Sequence, residues 1–264
     1  MIVLSRCIGR IAFIGLGLQE GHITLRAAEA LREADLVYLE EYTSFYYPEP
    51  ILALEKIGVR REKIFRLSRK DLEESSGEKI LKEALVGKAV ALAVIGDPYI
   101  ATTHLALKLH FMQRGCQVEY IPSVNIFSYS VSATGLFQYK FGESATIVYP
   151  KDGIISIYPY LVLEENRRRG LHTFFFLDID EKLGPLSAAE AIKLLMQAEG
   201  IEKRKAFSED IEVVVVERAS WPDERIIAGR AGELMEMHFN PPDSLIVPGK
   251  LHFMEKEALE VYRK

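Results

Sequence analysis

The sequence predicts an α/β protein of two α/β domains, the first with a mainly parallel sheet and the second with a mixed sheet. Three observations carry this. At 264 residues the chain is long for one domain. Its first half alternates five short β-prone runs with helical patterns, the mark of a parallel sheet. After Pro122 the strand spacing becomes hairpin-like, so a second domain is expected from residue 123, dividing the chain into 1–122 and 123–264.

Taken in order, Ile11–Ile14 reads as the first strand, and Gly15-Leu16-Gly17-Leu18 follows directly. A helix is expected from near Thr24, with Leu25, Ala28 and Leu31 on one face. Leu36–Leu39 reads as a second strand, ended by Glu40 and Glu41. The glycines invite comparison with the dinucleotide fingerprint G-x-G-x-x-G, but the third glycine, Gly21, arrives one position late. The acids do stand about 20 residues on, where a ribose would be held, so a nicotinamide site stays open as an alternative. Tyr42–Pro50 reads as an aromatic loop or helix entry, Ile64–Leu67 as a short strand, and Arg69–Gly77 as a charged, mobile turn.

The centre of the first half is Ala89–Ile95, an unbroken apolar run suited to a strand buried on both faces. It breaks at Gly96-Asp97-Pro98, and a helix is expected over Ala101–Phe111, capped by Thr102 or Thr103. Strand, sharp turn and helix place the Asp97 carboxylate at the carboxyl end of a central strand, where open α/β sheets bind ligands. The plain alternative is that Asp97 only fixes the turn through an Asx hydrogen bond. Val118–Ile121 makes a fifth strand, stopped by Pro122.

Ser123–Ser132 is rich in hydroxyls and aromatics. Strands are expected at 145–149, 173–179, 213–216, 226–229 and 245–247, and helices at 160–169 and 187–199, the latter opened by a Ser187 cap. No internal repeat or low-complexity linker interrupts the chain.

The formal charge of −5 argues against a dedicated nucleic-acid binder, and the Arg167-Arg168-Arg169 run reads as a solvated helix end stopped by Gly170. Cys7 and Cys116 lack zinc or redox spacing and do not suggest a disulfide scaffold, which fits a reducing, cytoplasmic setting. No window has the apolar length of a membrane helix, and the amino terminus is too short in apolar residues for a signal peptide. H-E-x-x-H, C-x-x-C, P-loop and G-x-S-x-G patterns are all absent, and the six histidines are scattered, so no metal is expected. That inventory suits a reaction that depends on positioning more than on acid–base machinery.

The segments IAFIGLGL (11–18), GDPYIATTH (96–104), YKFG (139–142), GLHTFFFLDI (170–179) and LIVPGKLH (245–252) together resemble the diphthine synthase family. These are S-adenosylmethionine-dependent methyltransferases of diphthamide biosynthesis, in the tetrapyrrole-methylase fold group. The resemblance covers nearly the whole chain. GDP after a strand is shared across the wider group, whereas ATTH, YKFG and PGKLH together are much more specific. The resemblance implies two α/β domains with S-adenosylmethionine between them, S-adenosylhomocysteine as product, a homodimer, and translation elongation factor two as the protein substrate, methylated on the amine of its aminocarboxypropyl-histidine. No membrane and no direct nucleic-acid partner is expected. It implies donor-binding roles for Leu18, Asp97, Ile100, Ser123, Val124, Leu177, Ala219 and Asp243, and names no catalytic base. Three departures stand out: Ile95 replaces a family Pro, the segment after Ser123 is longer than the family pattern, and Asp243 stands where His is common. An extra amino-terminal segment precedes the first strand. Rival readings are a precorrin-type tetrapyrrole methylase, a nicotinamide-dependent oxidoreductase, and a non-catalytic binding subunit.

Overall fold

A computed structural model describes residues 7–263, so most of the amino-terminal extension lies outside the described residues. The chain divides into two compact units, Met1–Asn125 and Ile126–Lys264.

The first unit runs β1 (Arg10–Gly15), α1 (Leu25–Glu33), β2 (Leu36–Glu40), α2 (Pro50–Lys56), β3 (Ile64–Leu67), α3 (Glu78–Leu85), β4 (Ala89–Val94), α4 (His104–Gln113) and β5 (Gln117–Ile121). Its sheet has the order β3-β2-β4-β1-β5 and every pairing is parallel. β4 shows why the apolar run is unbroken, because both of its faces are covered. Val90, Leu92 and Val94 pack with Ile80 and Leu81 of α3 and Phe111 of α4. Ala91, Ala93 and Ile95 pack with Leu31 of α1 and Leu54 of α2. The connection leaving β1 runs toward β2, while the one leaving β4 crosses over β1 to reach β5. These adjacent strands therefore form the topological switch point, at whose carboxyl edge open α/β sheets bind ligands.

Four expectations are corrected here. Cys7 and Cys116 form a disulfide across 109 residues of sequence, with Cα atoms 4.7 Å apart. Spacing could not show it, because α4 ends in a turn that returns Cys116 beside the start of β1; the disulfide removes the thiol argument for a reducing setting. The helix expected from Ala101 begins at His104, and Thr103, at its N-cap, makes no side-chain cap bond. Thr102 Oγ1 accepts from His104 N (3.4 Å) and also donates to the Pro98 carbonyl. On α1 the buried face is Ala27, Ala28 and Leu31, while Leu25 is exposed at the first turn. The Arg69–Gly77 segment contains a helical turn at Lys70–Glu74 that buries Leu72.

The second unit runs α5 (Ile126–Thr134), β6 (Ala145–Ile147), α6 (Tyr158–Arg168), β7 (Thr173–Leu177), β8 (Ile179–Asp180), β9 (Gly184–Pro185), α7 (Ala188–Glu202), β10 (Glu212–Glu217), β11 (Arg225–Arg230), α8 (Ala231–Leu234), β12 (Asp243–Val247) and α9 (Phe253–Glu260). The sheet order is β11-β10-β12-β7-β6, antiparallel except for β6 with β7. The alternation of β7 sorts its aromatics: Phe175 faces α6 and α7, while Phe174 faces the side lined by Phe127 of α5 and Leu259 of α9. Ser187 caps α7 as expected, in a reciprocal capping box with Glu190. α6 ends at Arg168, and Gly170 takes the left-handed conformation just beyond it. No helix among the described residues is long and apolar enough to cross a membrane.

Candidate functional site

Three loops meet at the carboxyl edge of β4, β1 and β5 in the first unit. Gly17 and Gly96 exchange both backbone hydrogen bonds, N to O at 3.1 and 2.8 Å, and both take positive φ (75° and 76°). A Cβ on Gly17 would lie 2.2 Å from the Cβ of His22, whereas one on Gly96 would meet nothing within 4 Å. The first glycine is therefore packed shut, and the second borders open space.

Asp97 ties this pair to β5. Its Oδ1 accepts from Tyr99 N (3.0 Å), and its Oδ2 accepts from Tyr120 Oη (2.7 Å) and Ser123 N (3.2 Å). Asp97 is buried, and Tyr120 is pushed up to about 12, first by burial and then by its bond to that carboxylate. Ser123 Oγ in turn donates to His22 O (3.0 Å), and His22 Nδ1 accepts from Leu18 N (3.2 Å). Of the five expected positions in this unit, Asp97 and Ser123 are joined directly and Leu18 through His22. Ile100 is exposed beyond the turn, and Val124 is half-buried next to Ser123. Asp97 is more than an Asx turn, since it also binds across to β5; one lone pair on Oδ1 remains for a hydroxyl or amine donor.

In the second unit the loops after β10 and before β12 meet. Arg218 N donates to Pro242 O (2.8 Å), and both Arg218 (φ 49°) and Ser220 (φ 68°) hold the left-handed region that side chains disfavour. Ala219 is buried between them. Asp243 Oδ2 accepts from Ala188 N at the start of α7 (2.9 Å), while its Oδ1 is buried with no hydrogen-bond partner. Burial pushes this carboxyl up to about 7, reinforced by the Glu217 charge. Glu217 is itself buried, between Arg225 and Asn240. Leu177 ends β7, half-buried against the α7 side of the core. In the first unit, the open space at Gly96 and the spare acceptor on Asp97 suit a ligand group carrying a hydroxyl or amino donor.

Residues 10–235 match the family of Tetrapyrrole (Corrin/Porphyrin) Methylases. The diphthine synthase of Pyrobaculum aerophilum is 38% identical over 250 residues, covering 95% of this chain and 96% of that protein. The diphthine synthase of Methanocaldococcus jannaschii is 37% identical, covering 93% and 96%. A crystal structure of diphthine synthase superposes with a TM-score of 0.84 at 33% identity, covering 97% of this chain and 96% of that one. The chain belongs to the diphthine synthase family. It is a methyltransferase.

Three of the five resembling segments converge on a residue the sequence did not single out. Glu255, on α9, is fully buried and accepts four hydrogen bonds: from His172 Nε2 (2.9 Å), Phe137 N (2.8 Å), His252 N (2.7 Å) and Lys140 Nζ. YKFG contributes Lys140, GLHTFFFLDI contributes His172, and LIVPGKLH contributes His252. These donors hold the Glu255 carboxyl down to about 2, against the opposing push of burial. Its one sequence signal is capping-box spacing, His252-x-x-Glu255, with a histidine where Ser or Thr is usual.

Proposed function

We propose that this chain transfers methyl groups from S-adenosylmethionine to the amine of the aminocarboxypropyl-modified histidine of translation elongation factor two, giving diphthine. The observation that carries the reading is the Gly17–Gly96 pair with Asp97 beside it, set at a topological switch point and bordering open space. S-adenosylmethionine, when bound, supplies an activated methyl carbon for in-line displacement by the amine. In this reading Leu18, Asp97, Ile100, Ser123 and Val124 hold the donor, with Asp97 using its spare lone pair. Leu177, Ala219 and Asp243 are donor-binding positions on the same family grounds, with the orphaned Asp243 Oδ1 accepting from a ligand N–H or O–H.

What remains for the protein is to orient the amine and exclude water, which needs no catalytic dyad. No residue is assigned as general base. The acceptor must reach its methyl donor with a long, protruding side chain, and the aminocarboxypropyl-histidine carries its amine several bonds beyond the ring. In the aromatic loop, Phe45 and Tyr47 are exposed, whereas Tyr46 is buried and donates to Leu16 O. In the Ser123–Ser132 segment most residues belong to α5, and Ser130 is buried against Ser244. A homodimer and a cytoplasmic location belong to the same proposal.

The test incubates the protein with labelled donor and elongation factor two carrying the aminocarboxypropyl group. Mass spectrometry should show added mass in single-methyl steps on that one histidine. Equal labelling of unmodified factor, or labelling of a precorrin alone, overturns the assignment.

A further inference from the structure

His104 closes the ATTH segment and is buried at 1% exposure, so it does not touch a ligand. Its Nδ1 lies 3.1 Å from the Pro98 carbonyl oxygen. A carbonyl only accepts, so Nδ1 carries the proton and Nε2 carries the lone pair in the neutral ring. Burial holds the ring neutral, lowering His104 to about 4. Nε2 has no hydrogen-bond partner and lies 3.9 Å from Oε2 of Glu40, itself fully buried at the end of β2. Glu40 is fixed in turn by Tyr42 N, Thr43 N and Thr43 Oγ1. Thr102 Oγ1 donates to the same Pro98 carbonyl. The turn 96–101 is thus gripped in front by Gly17 and by the partners of Asp97, and behind by two side chains on one carbonyl. Between these grips Ala101 sits at φ 57°, a conformation that a non-glycine residue keeps only when its surroundings impose it.

We propose that His104 is a positioning residue for the methyl donor: through its Nδ1–H bond to Pro98 it holds the 96–101 backbone in the form that presents Asp97 and Ile100, with Glu40 packed beside the Nε2 edge of the ring. The inference rests on the donor-binding reading of that loop. Burial pushes the Glu40 carboxyl up, against the opposing pull of its hydrogen bonds from Thr43 and Tyr42. Glutamine there keeps the size of the side chain and removes its titration.

Two substitutions separate the bond from the volume. His104→Asn keeps an N–H near the Nδ1 position, whereas His104→Leu fills the space without one. Binding of S-adenosylhomocysteine is measured by calorimetry, and amide hydrogen exchange is followed at Tyr99 and Ile100, with Leu92 of β4 as the reference for global opening. His104→Leu should weaken binding at least tenfold and speed exchange at Tyr99 and Ile100 while Leu92 stays protected. His104→Asn and Glu40→Gln should stay within about threefold of the parent. At saturating donor kcat should change less than twofold, so the loss appears in the donor KM. Should His104→Leu fail to fold, Thr102→Val removes the second donor to the same carbonyl and should give a smaller shift of the same kind. Equal binding by His104→Leu and the parent, equal loss in both His104 variants, or exchange that rises at Leu92 in step with Tyr99 overturns the proposal. Parent protein that shows normal exchange but no binding of S-adenosylhomocysteine overturns the donor reading, and with it the role given to His104 in donor binding, whereas the exchange pattern of the variants still decides what holds the turn.

Discussion

His172 and Glu255 fix each other's protonation state. His172 Nδ1 accepts from Gly249 N at 2.9 Å, so its remaining proton is on Nε2, and it is given to Glu255 Oε1 at 2.9 Å. Burial keeps the imidazole neutral by lowering its pKa, and four donors keep the carboxylate charged. Lys140, His172 and His252, drawn from three separate segments, are thus tied together through one buried carboxylate.

Glu255→Ala should leave Lys140, His172 and two backbone N–H groups without their acceptor. Breaking a buried charged cluster of this kind costs about 3–5 kcal/mol. The pH dependence follows from the sign of the shift. A carboxyl with folded pKa lowered to about 2 contributes stability that is complete above its unfolded value of 4.5 and is lost as pH falls toward 2. Thermal melts from pH 6 to pH 2 should show this loss in the parent and a flatter profile in Glu255→Gln.

Asp243 has the opposite sign. Its folded pKa is raised from 3.8 to about 7, so the protonated form favours folding, and stability is lost as pH rises through that window. Asp243→Asn, permanently neutral, should match the parent at pH 4 and exceed it at pH 8 by on the order of 2 kcal/mol, taking part of the full shift because the side chain is only partly enclosed. Chemical denaturation at both pH values measures it. Equal gains at pH 4 and pH 8 would contradict the assignment.

Asp97→Ala should weaken donor affinity by about 1.5–3 kcal/mol, as for hydrogen bonds to charged groups, or roughly 10- to 150-fold. Because Asp97 also holds Tyr120, part of the loss belongs to the loop. Tyr120→Phe isolates that part, since it frees one lone pair without removing the carboxylate. If Tyr120→Phe lowers affinity as much as Asp97→Ala, Asp97 acts only as a brace.

Reducing the Cys7–Cys116 bond, or substituting Cys116→Ser, should cost about 2–4 kcal/mol, because a long loop loses its constraint in the unfolded chain. Melting with and without reductant checks it, and non-reducing mass spectrometry should find the parent lighter by two hydrogens than its reduced form.

Much of the first unit was legible because β4 is apolar on both faces and Gly96-Asp97-Pro98 interrupts it sharply; sequence alone could place Asp97 at the sheet edge. It could not find what meets Asp97 there. Tyr120 comes from a strand 23 residues away and reads as an ordinary β-former until the parallel register aligns β5 with β1. The threonines of ATTH look like caps by local rules, and Thr102 does accept from His104 N, but only the return of the Pro98 carbonyl shows where its hydroxyl proton goes. Glu255 sits among exposed charges in FMEKEALE, and only its capping-box spacing from His252, a residue type unusual at that cap, separates the one buried glutamate from its neighbours. The disulfide was illegible for a related reason, since its partners meet through the sheet and not along the chain.

The Gly17–Gly96 exchange carries an implication for how this sequence can change. Two turns that follow different strands share one pair of main-chain bonds, so neither can gain or lose a residue by itself without breaking the other's hydrogen bonding. Side chains along 15–22 and 96–104 are free to vary wherever they do not pack, but the lengths of the two segments are locked together. Insertions should be found in one of these turns only where a compensating change of length accompanies them in the other.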